Sequence, residues 1–338
     1  MSNLQTNFSL LEHNTFHMDV KTANYVEYST FRELWDLLDQ LHNGELPSPW
    51  LHIGGGSNLL FTGDYPGTIL HSCIKGIKLV AESAENVWVK VGAAENWDNL
   101  VEHCIDNGWQ GLENLSFIPG EVGAAAVQNI GAYGVELKDY ITFVEVVDVE
   151  TGHVKTLFSQ KCEYGYRDSK FKREWKKKYI VTAVTMRLNK RPYYRLEYDN
   201  MREQLGDMPV TAGRIRNLVK SLRDSKIPNP EVLGNAGSFF KNPVITRDKL
   251  KELIWAYPEI PYYTVDVSSV KVPAAWLIET AGWKGKTVGN VQVCEDQPLV
   301  IVNLGGATGL EILDVANQVT ESVKELFKLD LVPEVNIL

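Results

Sequence analysis

One stretch limits what this chain can fold into more than any other. Residues 118–134 read IPGEVGAAAVQNIGAYG, with four glycines, four alanines and a single charge, Glu121. Side chains this small cannot build a core of their own. The stretch is therefore predicted to lay its main chain along a large ligand, with N–H groups near Gly120, Gly123, Gly131 and Gly134 lining the bed. The plainer alternative is a tightly packed turn region between two strands, although a mere turn has little need for the amide pair Gln128-Asn129. A second run of the same character, Gly54-Gly55-Gly56-Ser57-Asn58, lies upstream. Two such loops predict one large ligand held at two places.

Composition removes several function classes. The net charge of −9 argues against a general nucleic-acid binder, which needs a basic face. A small phosphorylated ligand remains compatible, because a few local donors are enough to hold it. Cys73, Cys104, Cys162 and Cys294 are scattered and form no C-x-x-C pair, so they are expected to be reduced packing thiols, with no disulfide frame and no metal site. The first residues lack a basic segment and a long apolar run, and no stretch reaches the apolar length of a membrane span, so a cytoplasmic protein is expected. All seven histidines lie between His13 and His153. Proton transfer from the C-terminal half must then use Ser, Tyr, Lys, Arg or a carboxylate.

Along the chain, residues 1–25 read as polar and irregular. Thr30 and Glu33 form a capping box for a helix bearing Phe31, Leu34, Leu38 and Leu41, and Asn96 caps a second carrying Trp97, Leu100, Val101 and Cys104. Strand-like runs fall at 50–53, 59–61, 68–70, 77–80, 87–91, 143–149 and 180–188. The basic run 170–178 reads as a solvated loop. Beyond residue 190 a connector leads to a new unit, with helices near 211–225, 248–257 and 273–282, a strand at 299–303 and a long helix capped by Thr308 and Glu311. A strand at 331–338 ends it. The start is not a dinucleotide fold of the G-x-G-x-x-G kind, since Leu59 stands where the third small residue belongs, and no G-K-[ST] of a P-loop follows.

Three polar residues stand in settings that folding alone does not demand. Ser238 lies between Gly-Asn-Ala-Gly and two phenylalanines, where a hydroxyl can face a ligand or simply cap a turn. Arg167 can face a ligand or pair with Asp168 at the surface, and Glu334, after Pro333, is otherwise an exposed strand-end acid.

Taken in order, GGGSNLLF, IPGEVGAAAVQNIGAYGVE, YGYRDSKFK, GNAGSFFKNP and LVPEVNIL resemble the UDP-N-acetylenolpyruvoylglucosamine reductases of bacterial peptidoglycan synthesis, over nearly the whole chain. The resemblance implies an α+β protein: a two-part FAD-binding region of the PCMH/vanillyl-alcohol-oxidase type and a separate α+β substrate-binding domain. It implies FAD-binding subdomains at 1–66 and 67–207 (the whole region about 17–190), a substrate domain at 208–325 and a returning C-terminal strand at 326–338. Non-covalent FAD is expected at Gly54, Gly55, Gly56, Ser57, Asn58, Leu59, Ile118, Pro119, Gly120, Gly123, Gln128, Asn129, Gly131, Ala132, Tyr133 and Gly134. NADPH is expected as co-substrate, and a nucleotide sugar as substrate held by Tyr198, Lys226, Asn242 and Gln297. Ser238 matches the residue that protonates the substrate, and Arg167 and Glu334 match the pair that stabilises the enolic intermediate. A monomer that binds no nucleic acid is expected. Ala124-Ala125-Ala126 departs from the Ser-Ser-Pro of one well-known relative, which bears on hydrogen bonds to the cofactor. A related flavin oxidase and a non-catalytic flavin or nucleotide-sugar binder are the alternatives.

Overall fold

The computed structural model describes residues 4–198 and 200–338. The chain forms two compact units. One comprises Met1–Phe8, Thr22–Gly56 and Pro66–Arg223, and the other Ser9–Lys21, Ser57–Tyr65 and Asp224–Leu338.

The first unit is built on a five-stranded antiparallel sheet. Its order is Val154–Phe158, Ile141–Asp148, Tyr179–Asn189, Asn86–Gly92, Ile77–Glu82. The central strand, YIVTAVTMRLN, is buried at almost every position, because it has a neighbour on each edge and side chains packed on both faces. The helix Trp97–Asp106 turns Trp97, Leu100, Val101 and Cys104 into this core, and the Trp97 indole N–H donates to the Leu115 carbonyl at 2.8 Å. Asn96 caps that helix as expected, its side chain accepting from the Asn99 amide. A four-stranded sheet, in the order Gln5–Ser9, Lys21–Tyr28, Tyr65–Ser72, Trp50–Ile53, carries the helix Phe31–His42. The capping box between Thr30 and Glu33 is formed, and Leu34, Leu37 and Leu38 are buried against Val26, Tyr28 and Leu70.

Two expectations fail here. Residues 4–25 are not irregular throughout, and Gln5–Ser9 forms a strand. Lys21–Tyr28 is a strand in which Thr22 and Asn24 are buried, and the Thr22 hydroxyl donates to the Asn24 and Gly67 carbonyls at 3.0 Å each. The small-residue stretch also does make core. Val122–Gln128 is a helix, and its Val122, Ala125 and Ala126 join the cluster around Trp97. The amides of Val122 and Gly123 donate to the Glu95 and Ala93 carbonyls at 3.0 and 2.9 Å, which takes them away from any ligand. Gly123 is small because of Ala93: a Cβ at Gly123 would stand 2.8 Å from the Ala93 Cβ.

The second unit packs the helices Gly309–Phe327, Ala274–Thr280 and Arg247–Ala256 against two small three-stranded antiparallel sheets. The long helix starts at the expected capping box of Thr308 and Glu311 and buries Ile312, Val315, Val319, Val323 and Phe327. Each such side chain contributes roughly 1.5–3 kcal/mol when it leaves water. Trp276, Tyr257 and Phe327 meet in an aromatic cluster with centroids 4.7–6.1 Å apart. Phe16 and Leu60 complete this core, although the sequence places them far from the rest of it. The closing segment is strand only at Asn336–Ile337, which runs parallel to Leu59–Leu60.

Two glycine-to-alanine changes separate packing from propensity. Gly213 lies in the helix Ala212–Asp224 with nothing within 4 Å of an added Cβ. Gly213→Ala is expected to raise stability by about 0.5 kcal/mol. Gly123→Ala should instead lose about 1–2 kcal/mol, since overpacking against Ala93 exceeds the gain in helix propensity. Denaturation midpoints of the FAD-free protein check both, and equal gains at the two positions would contradict the packing assignment.

Candidate active site

In the first unit the two small-residue loops come together. A Cβ at Gly54 would stand 3.1 Å from the Glu121 carboxylate and 3.2 Å from the Ala124 Cβ, and one at Gly55 would stand 3.5 Å from the Gly120 Cα. Gly120 has φ +114° and Gly56 φ +69°. Gly56 is buried, yet its amide donates to no group among the described residues, and the same holds for the amides of Gly55 and Gly120. Buried N–H groups are normally paired. A cradle of free amides, one of them buried at Gly56, with no room for a side chain at Gly54, fits the diphosphate of a dinucleotide cofactor such as FAD. Ile118 packs at the edge of the core and Pro119 is exposed beside it.

The far end of the small-residue stretch is a hairpin. Gly131–Ala132 pairs with Val135–Glu136, and the two loop residues, Tyr133 and Gly134, have φ +47° and +80°. Positive φ at both loop positions is the turn that suits hairpin twist, which explains the glycine at 134. The ring of Tyr198 stands edge-on to that of Tyr133 at 6.0 Å. The polar pair expected to face a ligand is largely engaged in structure. The Asn129 side chain donates to Glu136 and to the Gly165 carbonyl and accepts from the Lys138 amide, so it fixes the hairpin to the loop before Arg167. Gln128 accepts from the Lys172 ammonium at 2.6 Å.

Arg167, at φ +53°, donates from Nη2 to the Gly131 carbonyl at 2.5 Å and lies over the Tyr166 ring. A Cβ at Gly131 would stand 2.8 Å from Nη1 and 2.9 Å from the Val135 carbonyl oxygen, so both the guanidinium and the hairpin backbone require glycine there. Asp168 is held by Arg173. The basic run 170–178 is a loop, as expected, but not a simply solvated one. Phe171 is buried, Lys172 also donates to the Arg167 carbonyl at 3.2 Å, and Lys170 pairs with Glu163.

In the second unit, residues 238–241 run between two other segments. Ser238 bridges to Val300, the Phe239 amide donates to the Leu299 carbonyl at 2.7 Å, and the Glu334 amide donates to the Phe239 carbonyl at 2.7 Å. Ser238 and Glu334, distant in sequence, are therefore one strand apart. The Ser238 hydroxyl caps nothing and has no hydrogen-bond partner among the described residues. The turn ahead of it is set by Asn235, which is 1 % exposed. Asn235 donates to the Pro228 and Leu233 carbonyls at 3.0 and 2.8 Å and accepts from the Gly237 amide at 2.9 Å. Lys226 is half-buried just upstream of Pro228. Asn58 donates to the Glu334 carbonyl at 3.1 Å and accepts from the Asn336 amide at 3.0 Å, while Leu59 pairs with Asn336, so this loop anchors the end of the chain. Ser57 is half-buried. Gln297 forms the turn that presents Val300, its carbonyl accepting from the Val300 amide at 2.9 Å. Asn242 accepts from the Ala274 amide at 2.8 Å, which caps the next helix. Asn235 and Lys172 are positioning residues to which the sequence reading assigned no role. Asn235 stands inside a recognised motif, whereas Lys172 was hidden in a basic run.

Residues 36–157 match the family described as FAD binding domain. With the cradle described above, this makes the chain an FAD-binding oxidoreductase of α+β fold. Residues 229–338 match the family described as UDP-N-acetylenolpyruvoylglucosamine reductase, C-terminal domain. The UDP-N-acetylenolpyruvoylglucosamine reductase of Bacteroides fragilis is 48% identical over 336 residues, 99% of this chain and 100% of that protein. That of Amoebophilus asiaticus is 45% identical over 339 residues, 99% of each. The chain belongs to the UDP-N-acetylenolpyruvoylglucosamine reductase family. The crystal structure of the Thermus caldophilus reductase shares the fold, with a TM-score of 0.69, at 24% identity over 100% of this chain and 98% of that one.

Asn235→Ala should leave two carbonyls and an amide without their partner. A loss of about 1–3 kcal/mol in stability is expected. A thermal midpoint equal to that of the parent protein would show that the turn before Ser238 holds without it.

Proposed function

We propose that the protein reduces the enolpyruvyl ether of UDP-N-acetylglucosamine to the lactyl ether of UDP-N-acetylmuramate at the expense of NADPH, in peptidoglycan precursor synthesis. The observation that carries the mechanistic part is the free hydroxyl of Ser238, fixed by backbone bonds on both sides and one strand from Glu334. FAD, when bound, supplies the hydride, taken from NADPH and passed to C3 of the enolpyruvyl group. Gly54, Gly55, Gly56 and Gly120 would hold its diphosphate through their amides. Ser238 delivers the proton to C2. Arg167 and Glu334 are the pair that stabilises the enolic intermediate, with the Arg167 guanidinium the fixed donor to its carboxylate, where such donors count for more in the transition state than in the ground state. The Tyr198 hydroxyl, the Lys226 ammonium and the amides of Asn242 and Gln297 contribute to holding the nucleotide sugar and its diphosphate. The division at 1–66, 67–207, 208–325 and 326–338 belongs to this reading as a division of labour between cofactor and substrate, as do a cytoplasmic location and a monomeric state. Among the described residues no helix is long and apolar enough to cross a membrane.

Ser238→Ala separates the two half-reactions. Bleaching of the yellow protein by NADPH needs no proton from Ser238 and should keep its rate. Reoxidation by the enolpyruvyl substrate should slow by about 10²–10⁴-fold, the range for losing a general acid. Stopped-flow absorbance measures both on one sample, and normal reoxidation would remove Ser238 from the mechanism. A colourless protein that takes up no FAD would remove the whole proposal.

If Arg167 and Glu334 act on one intermediate, their losses should combine non-additively. Arg167→Lys, Glu334→Gln and the double variant, each confirmed to retain FAD, are compared in kcat/KM. A double loss equal in free energy to the sum of the single losses would assign them independent roles.

A further inference from the structure

The side chain that fills the space between the two small-residue loops is the Glu121 carboxylate, and it is not alone. Its Oε1 lies 3.0 Å from Nε2 of His71, and Nδ1 of the same ring lies 3.2 Å from the Glu27 carboxylate and 3.0 Å from the Tyr25 hydroxyl. Tyr25 in turn donates to Glu27 at 2.9 Å. The His71 side chain is 13 % exposed, that of Glu121 15 % and that of Glu27 44 %. One imidazole therefore stands between two carboxylates with a ring nitrogen facing each: the doubly protonated ring donates to both, whereas the neutral ring donates to one and leaves its other nitrogen to accept from Tyr25.

We propose that His71 is a positioning residue of the glycine cradle: as an imidazolium bridging Glu27 and Glu121, it holds and neutralises the Glu121 carboxylate against Gly54 and Gly55, and so sets the affinity of the cradle for a diphosphate. The inference rests on the reading above that this cradle holds FAD. The electrostatics are direct. With His71 charged, the Glu27–His71–Glu121 group carries one net negative charge, and with His71 neutral it carries two, beside the place where a dianion is to bind. Charges a few ångströms apart in a half-buried site interact strongly enough to change affinity by about ten-fold.

The groups that face His71 are Tyr25 and Glu27 from the neighbouring strand Lys21–Tyr28, Glu121 from the cap of the helix Val122–Gln128, and Cys73 just beyond its own strand. His52 is half-buried in the parallel strand Trp50–Ile53 and hydrogen-bonded to the Tyr28 hydroxyl. Burial, with the charge of His71 second, pushes it down to about 3, so it stays neutral and does not compete. For His71 itself burial acts downward, but the hydrogen bonds and charges of Glu121 and Glu27 outweigh it, and its pKa lies above the ordinary imidazole value. The sign follows. A raised pKa keeps the ring charged below and through the normal range near 6.5, and the stabilisation is lost as pH rises through the raised value. The FAD diphosphate stays doubly charged throughout that range, so it contributes no slope of its own.

The test is FAD binding to FAD-stripped protein, followed by quenching of FAD fluorescence from pH 6 to 9. The parent protein should lose about ten-fold in affinity across the titration of His71, with a midpoint matching that of the His71 ring signals in NMR. His71→Gln keeps a donor for Glu121 but cannot be charged; its affinity should be flat with pH and equal to the high-pH limb of the parent. Glu27→Gln, at a more exposed position, should move the midpoint to lower pH without abolishing binding. A pH dependence that survives in His71→Gln, or a midpoint unmoved in Glu27→Gln, overturns the proposal. So does stoichiometric zinc in the purified protein, since donor atoms of Glu27, His71 and Cys73 lie within 4.8 Å of one another. Binding that is tight but independent of pH defeats this inference alone, whereas no FAD binding at any pH defeats the functional reading beneath it.

Discussion

The first unit depends on one close approach of main chains. Gly54 and Gly55 lie against Gly120 and Glu121, so closely at Gly54 that a side chain there would crowd the Glu121 carboxylate and Ala124. This contact is possible only if both loops are small, and it is useful only if something occupies the donors it leaves free. The helix Val122–Gln128 makes the approach rigid, because its first amides are tied to the Ala93 and Glu95 carbonyls beside the central sheet. Small residues thus serve two ends in one stretch. At Gly120 they leave amides open, and from Gly123 to Ala126 they let a helix sit flush on a strand.

That double use explains why the stretch was only half legible. Its composition announced a site where backbone approaches something closely, and the apposed loops agree. It could not announce which neighbour each glycine meets: Gly123 meets Ala93, Gly131 meets Arg167, and Gly134 completes a hairpin turn. Three helix starts were legible because their ends are chemical. Thr30 with Glu33, Asn96, and Thr308 with Glu311 are local hydrogen-bonding signals that need no tertiary partner. The strand Lys21–Tyr28 was missed because its buried Thr22 and Asn24 look like loop residues until the carbonyls that satisfy Thr22 are seen. His71 was invisible for a related reason. Its partners lie 44 and 50 residues away, and only the fold brings them to one ring.

In the second unit the decisive order is imposed by backbone rather than by side chains. Residues 238–241 are hydrogen-bonded to Leu299 on one side and to Val332 and Glu334 on the other. Phe239 and Phe240 are buried as anchors, and Asn235 closes the turn before them. A serine set in this way cannot swing far, and its hydroxyl is the polar group of the segment left without a structural task. The sequence offered a turn serine as the alternative, and a turn or cap serine would have spent its oxygen on a backbone amide.

The chemistry assigned to Ser238 also requires a particular kind of acceptor. An aliphatic hydroxyl is too weak an acid to protonate an ordinary oxygen or nitrogen base at neutral pH, and no histidine occurs after residue 153 to activate it. It becomes effective only toward a carbanion, which is basic enough to take its proton. Such a carbanion is tolerable only if its charge is shared with a carboxylate that fixed donors hold. A guanidinium steadied by the Gly131 carbonyl and stacked on Tyr166 is a donor of that kind, because its geometry is paid for by the fold before substrate arrives. In the proposed reaction the unpartnered serine and the constrained arginine serve one step, proton delivery to a carbon centre.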